Sequence, residues 1–148
     1  MAGEGRGRAP LSGQHYVLDE QIGFALRKAN QRHVSIFARH ISDLTPPQFA
    51  TLAKLAEVGA TSQSQLGALV AMDAATIKGV IDRLGARGFV TLAAHEDDRR
   101  RVVVSLSEEG RRAFDQMIEN ALTITRETVA PLTERERQTL MRLLAKIS

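Results

Sequence analysis

The stretch Ser62-Gln63-Ser64-Gln65-Leu66-Gly67-Ala68-Leu69-Val70-Ala71-Met72-Asp73-Ala74-Ala75-Thr76-Ile77-Lys78-Gly79-Val80-Ile81-Asp82-Arg83-Leu84-Gly85-Ala86-Arg87-Gly88 decides the fold. Ser62 with Gln65 three residues on, and Asp73 ahead of an apolar row, are helix starts. A side-chain oxygen at such a place accepts from the free N–H groups of the first turn. They predict helices over 62–70 and 74–87, joined by a tight turn at Ala71-Met72-Asp73. In the second helix Ile77, Val80, Ile81 and Leu84 recur at helical spacing and form the buried stripe. Gly88 ends that helix, and the period then changes from helical to extended. Phe89-Val90-Thr91-Leu92-Ala93 and Val102-Val103-Val104-Ser105-Leu106 are β-prone runs, separated by the wholly polar His95-Glu96-Asp97-Asp98-Arg99-Arg100-Arg101. Two short helices at a tight turn, followed at once by a hairpin with a charged tip, make a helix-turn-helix with a wing.

The outward side of such a unit decides what it can do. A helix enters the major groove of B-DNA only if that side carries small or polar residues near its N-terminus. Here the side offers Ala74, Ala75, Thr76, Lys78 and Gly79. Thr76 can meet a thymine methyl or a base-edge acceptor, and Lys78 a guanine edge or a phosphate. At the hairpin tip Arg99, Arg100 and Arg101 stand beside Asp97 and Asp98. An extended arginine suits the minor groove, where negative potential is concentrated. The neighbouring acid can pair with an arginine and hold it outward. A merely solvated loop would not need three arginines in a row beside a helix-turn-helix. Gln63, Ser64 and Arg83 complete the candidate DNA-contacting set of Gln63, Ser64, Ala74, Ala75, Thr76, Lys78, Arg83, Asp98, Arg99, Arg100 and Arg101.

The rest of the chain is helical by the same signals. Leu18, Ile22, Ala25, Ala29, His33, Ile36 and His40 recur at spacings of three and four, which predicts a long helix over 17–44. Thr45-Pro46-Pro47-Gln48 and Thr133-Glu134-Arg135-Glu136 repeat the capping device, giving helices over 46–58 and 133–147. Ser107 opens a helix to about Val129, and Pro131 separates it from the last one. The expected order is α-α-α-α-β-β-α-α, mainly α with a small β-hairpin. It divides into a tail over 1–16, a dimerisation and effector helix over 17–44, a DNA-binding lobe over 45–106 and dimerisation helices over 107–148. The apolar stripes of the outer helices exceed what one small winged helix needs for cover, with Leu132, Leu140, Leu143, Leu144 and Ile147 the plainest surplus. A closed two-fold dimer of the obligate type would bury them.

Composition narrows the function classes. The chain has 148 residues, 43% of them hydrophobic, and carries 20 basic against 17 acidic residues. That mild balance does not by itself prove a nucleic-acid partner, so the placement of the arginines matters more. Cysteine is absent, which removes disulfides, thiolate zinc sites and cysteine nucleophiles. No apolar run approaches the roughly 20 residues of a membrane helix, and the Gly/Arg/Pro-rich start is neither signal peptide nor anchor, so the expectation is a soluble, cytoplasmic chain without a membrane partner. Enzymatic readings find no support. Gly3, Gly5 and Gly7 have no strand before them and no helix start after them, there is no Gly-x-Ser-x-Gly elbow, and the acids at 96–98 lie in an exposed loop beside arginines. No cofactor is expected. His33 and His40 stand about 10 Å apart along a helix, too far for easy chelation of one ion, so no metal is expected either.

The hairpin Asp98-Arg99-Arg100-Arg101-Val102-Val103-Val104-Ser105-Leu106-Ser107 resembles the D-x-R-x-x-x-V-x-L-T wing signature of MarR-type transcriptional regulators, with serine in place of the last threonine. Leu44-Thr45-Pro46-Pro47-Gln48-Phe49, Ile81-Asp82-Arg83-Leu84 and Gly88-Phe89-Val90 are similar to that family's segments in order and spacing. The resemblance covers about residues 17–147. It implies a winged-helix homodimer built on the first, fifth and sixth helices, a palindromic operator and release by a small ligand. By position Arg100 matches the family's minor-groove arginine, Asp98 its supporting acid and helix 74–87 its recognition helix. The resemblance also implies an effector site between the first helix and the DNA-binding lobe. Phe24, Arg27, His33, Phe37, His40 and Phe49 are the candidates there, combining apolar walls with cations for an aromatic acid, a phenolate or a coenzyme A thioester. The alternative to a ligand-released repressor is a winged helix that docks on an acidic protein without specific DNA binding.

Overall fold

The computed structural model describes residues 15–148, and the element order is a short 3-10 turn (Leu18–Glu20), α1 (Ile22–His40), α2 (Pro46–Val58), β1 (Thr61–Ser62), α3 (Gln63–Leu69), α4 (Ala74–Ala86), β2 (Val90–Ala94), β3 (Val102–Leu106), α5 (Glu108–Thr128) and α6 (Glu134–Ile147). Of the expected tail, only His15 and Tyr16 fall within the described residues, and both are exposed; Gly3, Gly5 and Gly7 lie outside them.

The first helix is shorter than its period suggested. The chain is extended at Gln21, between the 3-10 turn and α1, and extended again at Ile41. Ile41 and Leu44 still reach the core, but from an irregular connection, so their apolar character reported burial and not helix. The Asn120 side-chain amide donates to the open His40 carbonyl (3.2 Å), partnering one of the acceptors that a helix end leaves free. Of the stripe only Ile36 is buried, with His33 and His40 half-buried. Ala25 and Ala29 are exposed, because the N-terminal half of α1 projects past the core of its own chain.

The helix starts have the expected chemistry, with one difference. Thr45 and Thr133 make reciprocal capping boxes with Gln48 and Glu136. Asp73 accepts from the Thr76 N–H at 2.7 Å, and Ser107 from the Gly110 N–H at 2.9 Å. Ser62 accepts from Gln65 N–H, but the Gln65 side chain does not return to the cap; its amide oxygen accepts the Thr61 hydroxyl instead (3.1 Å). The reason is tertiary. Thr61 and Ser62 form a third strand, antiparallel to Val104 and Val103, so the sheet runs β1-β3-β2 where a two-stranded hairpin was expected. A run of two residues carries too little period to announce a strand.

The core gathers Ile36, Phe37, Ile41, Leu44, Leu52, Leu55, Leu66, Ile77, Val80, Ile81, Leu84, Phe89, Val90, Val104 and Ile124. All four residues of the α4 stripe are therefore buried, leaving its other side for solvent or a partner. Gly67 lets α3 and α4 close on each other: a Cβ there would stand 3.1 Å from Ile77 Cγ2 and from the Met72 carbonyl. Ala71 makes the turn between the two helices at φ 56°, in the left-handed region that residues with a Cβ enter reluctantly.

Candidate nucleic-acid interface

The outward face of α4 is built from its cap. Asp73 fixes the first turn, and the Thr76 N–H holds its carboxyl below the usual carboxylate range. Ala74, Ala75, Thr76 and Lys78 then emerge exposed. Gln63, Ser64, Ala74, Arg100 and Arg101 line one cleft of about 220 Å³ with Ser62, Ile77 and Val102. The helix-turn-helix and the wing, far apart in sequence, thus share one surface. On the other flank of α4, Ala75, Thr76 and Arg83 line a second concavity with Gly79, Val80 and the N-terminal turn of α2 at Thr45, Pro47 and Gln48. The α2 turn is legible in the sequence only as a cap, and nothing there signals that it stands beside α4. Lys78 points outward and pairs with Asp82 at 2.8 Å.

The wing tip is ordered by its own backbone. His95 N–H donates to the Arg101 carbonyl (2.9 Å), and Arg101 N–H to the Asp98 carbonyl (3.0 Å). The Asp98 carboxylate accepts the Arg100 backbone N–H at 3.0 Å. Asp98 was expected to hold an arginine by its guanidinium; among the described residues it forms no ion pair with one and shapes the turn instead. The difference follows from distance along the chain, since a carboxylate two residues ahead of an N–H closes a local turn with little ordering cost. The consequence for Arg99, Arg100 and Arg101 is that all three remain exposed, with side chains available to phosphates.

The effector candidates divide into different surroundings. His33, Phe37, Phe49 and Phe114 stack in series, with ring centroids 6.5, 6.0 and 5.8 Å apart, across α1, α2 and α5. His33 Nδ1 lies 3.1 Å from Thr128 Oγ1, and His40 Nε2 lies 2.9 Å from Glu127 Oε1. Arg39 pairs with the same Glu127, whose carboxyl is held below its ordinary range first by that guanidinium and then by His40. Arg32 donates to the carbonyls of Glu127 and Thr128, closing the end of α5. Phe24 lies apart, under the Lys28 ammonium at 5.0 Å, and Arg27 is exposed. Phe114 is legible in the sequence only as part of the apolar side of α5, and Glu127 and Thr128 not at all, because their approach to α1 is a matter of helix packing.

Taken together, a buried stripe beneath α4, a small polar face above it and an arginine-tipped hairpin on the same surface define a winged-helix DNA-binding protein. The MarR family model matches residues 44–102. The chain is 42% identical over 141 residues to the HTH-type transcriptional repressor NicR of Pseudomonas putida, spanning 94% of this chain and 89% of that one. A probable transcriptional regulator from Pseudomonas aeruginosa superposes with a TM-score of 0.86 at 50% identity, over 89% of this chain and 100% of that one. BpsR of Bordetella bronchiseptica, whose DNA binding is regulated by 6-hydroxynicotinic acid, gives a TM-score of 0.86 at 40% identity, over 90% and 97% of the two chains. The chain belongs to the MarR family and is a DNA-binding transcriptional regulator. Among the described residues no helix is long and apolar enough to cross a membrane.

Proposed function

We propose that the protein is a repressor that binds a palindromic operator as a homodimer and is released by a small aromatic acid. In this reading residues 17–44 and 107–148 serve dimerisation and effector response, and residues 45–106 read DNA. The observation that carries it is the shared cleft of α3, α4 and the wing, which lets one protomer address a major groove and the adjoining minor groove together.

Support for the dimer comes from apolar surface left uncovered on one chain. Helix α6 buries none of its residues, and Leu143 and Ile147 remain 46% and 64% exposed. Ile22 on α1 is 69% exposed. Two recognition helices related by a two-fold axis read half-sites about 34–36 Å apart, which one helix does not. Support for an aromatic acid comes from the seam between α1 and α5, where ring faces and cationic or imidazole groups lie side by side. The effector of BpsR, a hydroxylated pyridine carboxylic acid, has the chemistry such a seam accepts. Release is then a population shift, in which ligand favours a dimer whose recognition helices are wrongly spaced for the operator.

Fluorescence anisotropy on a labelled duplex tests both halves. Binding to random duplex falls with salt, and Arg100→Ala lowers the salt slope by about one per wing. Adding 6-hydroxynicotinate releases the protein from a selected operator and raises its melting temperature in the absence of DNA. Binding without salt dependence, or an Arg100→Ala protein with the wild-type slope, removes the wing from the account. A complex that 6-hydroxynicotinate leaves intact removes this acid as effector.

A further inference from the structure

Beside the cleft between α3, α4 and the wing lies a second one of about 280 Å³, lined by Thr61, Ser62, Gln65, His95, Arg101 and Val103. The two share Ser62 and Arg101, so they open side by side. Hairpin register explains why His95 and Arg101 meet. Ala94 faces Val102, and the His95 N–H donates to the Arg101 carbonyl (2.9 Å), so these two stand opposite each other one residue further out. Opposed residues share a face of the sheet, here the face that Val103 turns away from buried Val104. Among residues 91–101 only His95 is half-buried, and the others are exposed.

The acceptors of this cleft are engaged, and its donors are not. Gln65 Oε1 accepts the Thr61 hydroxyl (3.1 Å), and Ser62 Oγ accepts the Gln65 N–H (3.3 Å). His95 Nδ1 accepts the Asp97 N–H at 3.1 Å, which leaves the proton of a neutral imidazole on Nε2. Among the described residues neither His95 Nε2 nor the Gln65 amide nitrogen has an acceptor, and Arg101 enters no ion pair. Nor does any acid among them line either cleft.

We propose that this cleft is a phosphate-binding site, in which Arg101, His95 and Gln65 hold a backbone phosphate of the operator. The proposal rests on the wing and α4 entering DNA. A phosphodiester oxygen only accepts, which is the chemistry that open donors without a neighbouring acid select. Arg100 is then left to the minor groove and Arg101 to the backbone beside it. Such a contact reads no base; it fixes the register of the wing along the duplex. Arg101 stands at an unspecified place of the wing signature, and Gln65 and His95 fall outside the segments similar to the MarR family, so the site is not part of what that resemblance implies.

The test places single uncharged methylphosphonate linkages along a selected operator and measures affinity by fluorescence anisotropy. The proteins are the wild type, Gln65→Ala, His95→Asn and Arg101→Gln. His95→Asn keeps an oxygen for the Asp97 N–H and withdraws the ring donor. At one linkage in each half-site the wild type loses about three- to tenfold in affinity. The three variants are weaker on the unmodified operator by a similar factor and lose little more at that linkage, while their melting temperatures stay at the wild-type value. Arg101→Gln also lowers the salt slope by about one per wing, whereas Gln65→Ala leaves it unchanged, because a neutral amide displaces no counterion. Variants that bind like the wild type, or that lose as much as it does at every linkage, overturn the site. If Arg101→Gln alone responds, the arginine meets a phosphate by itself and the cleft is overturned. Inorganic phosphate that raises the melting temperature of the wild type but not of Arg101→Gln, with no linkage distinguished, assigns the cleft to a free anion and overturns the DNA contact. If Arg100→Ala too keeps the wild-type affinity and slope, it is the placement of the wing on DNA that fails.

Discussion

Arg87, at the C-terminal end of α4, reaches back to Asp43 in the connection between α1 and α2. Its Nη1 donates to the Asp43 carbonyl at 2.7 Å and its Nη2 to the Asp43 carboxylate at 3.2 Å, while the guanidinium lies 4.7 Å from the centroid of the Phe89 ring. One planar group thereby fastens the last turn of α4 to the segment leading out of α1, so the two ends of the proposed ligand response are mechanically joined. Arg87→Ala is expected to lower stability by about 1 kcal/mol, the size of one cation–π contact plus a partly screened pair. Arg87→Lys restores only part of this, because an ammonium lacks the fork and the flat face. Urea denaturation of the three proteins measures both effects.

Gly79 offers a way to separate stability from DNA binding. A Cβ there would meet nothing nearer than Arg83 Nη1 at 3.8 Å, so the helix has room for it. Gly79→Ala therefore stabilises α4 by about 0.5–1 kcal/mol, through the lower backbone entropy of the unfolded chain. The same methyl lies on the face proposed to enter the groove and would hold the backbone off the bases. Thermal melting is expected to rise while affinity for a selected operator falls.

Gly110 gives the opposite outcome. A Cβ at this position would collide with the Phe89 carbonyl oxygen, with rigid backbone on both sides of the contact. The first turn of α5 must then move away from the start of β2, where Ser107 N–H now donates to that same carbonyl. Gly110→Ala is expected to destabilise the fold by about 1–3 kcal/mol, as overpacking does, and the loss is read as a lower melting temperature.

Acid sensitivity is expected to come from the capping and clasping carboxylates. The Thr76 N–H lowers the Asp73 pKa, and Arg39 lowers that of Glu127. A carboxyl lowered on folding contributes stability that is fully present above its unfolded pKa and is lost as pH falls through its folded one. The midpoint of thermal unfolding should therefore begin to drop below about pH 4. Asp73→Asn keeps an acceptor at the cap and carries no titrating proton, so its melting curve should depend less steeply on pH in that range.

Patterns of short range were readable in the sequence. The caps at Thr45, Asp73, Ser107 and Thr133, the α4 stripe and the two strands of the wing all rest on interactions within a few residues, and a helix or strand period displays them directly. Tertiary structure decided everything whose partner lies far along the chain. Strand β1 exists because Val103 and Val104 provide a ladder for Thr61 and Ser62. Ile41 and Leu44 are buried without being helical because the chain turns them inward after His40. The Asp98 carboxylate looked like a partner for arginine side chains, and folding gave it a backbone N–H. The alignment of wing and α4 along one cleft, and the clasp of α1 on Glu127, depend on how rigid elements pack. Periodicity reports which face an element buries, and only the folded chain reports what that face meets.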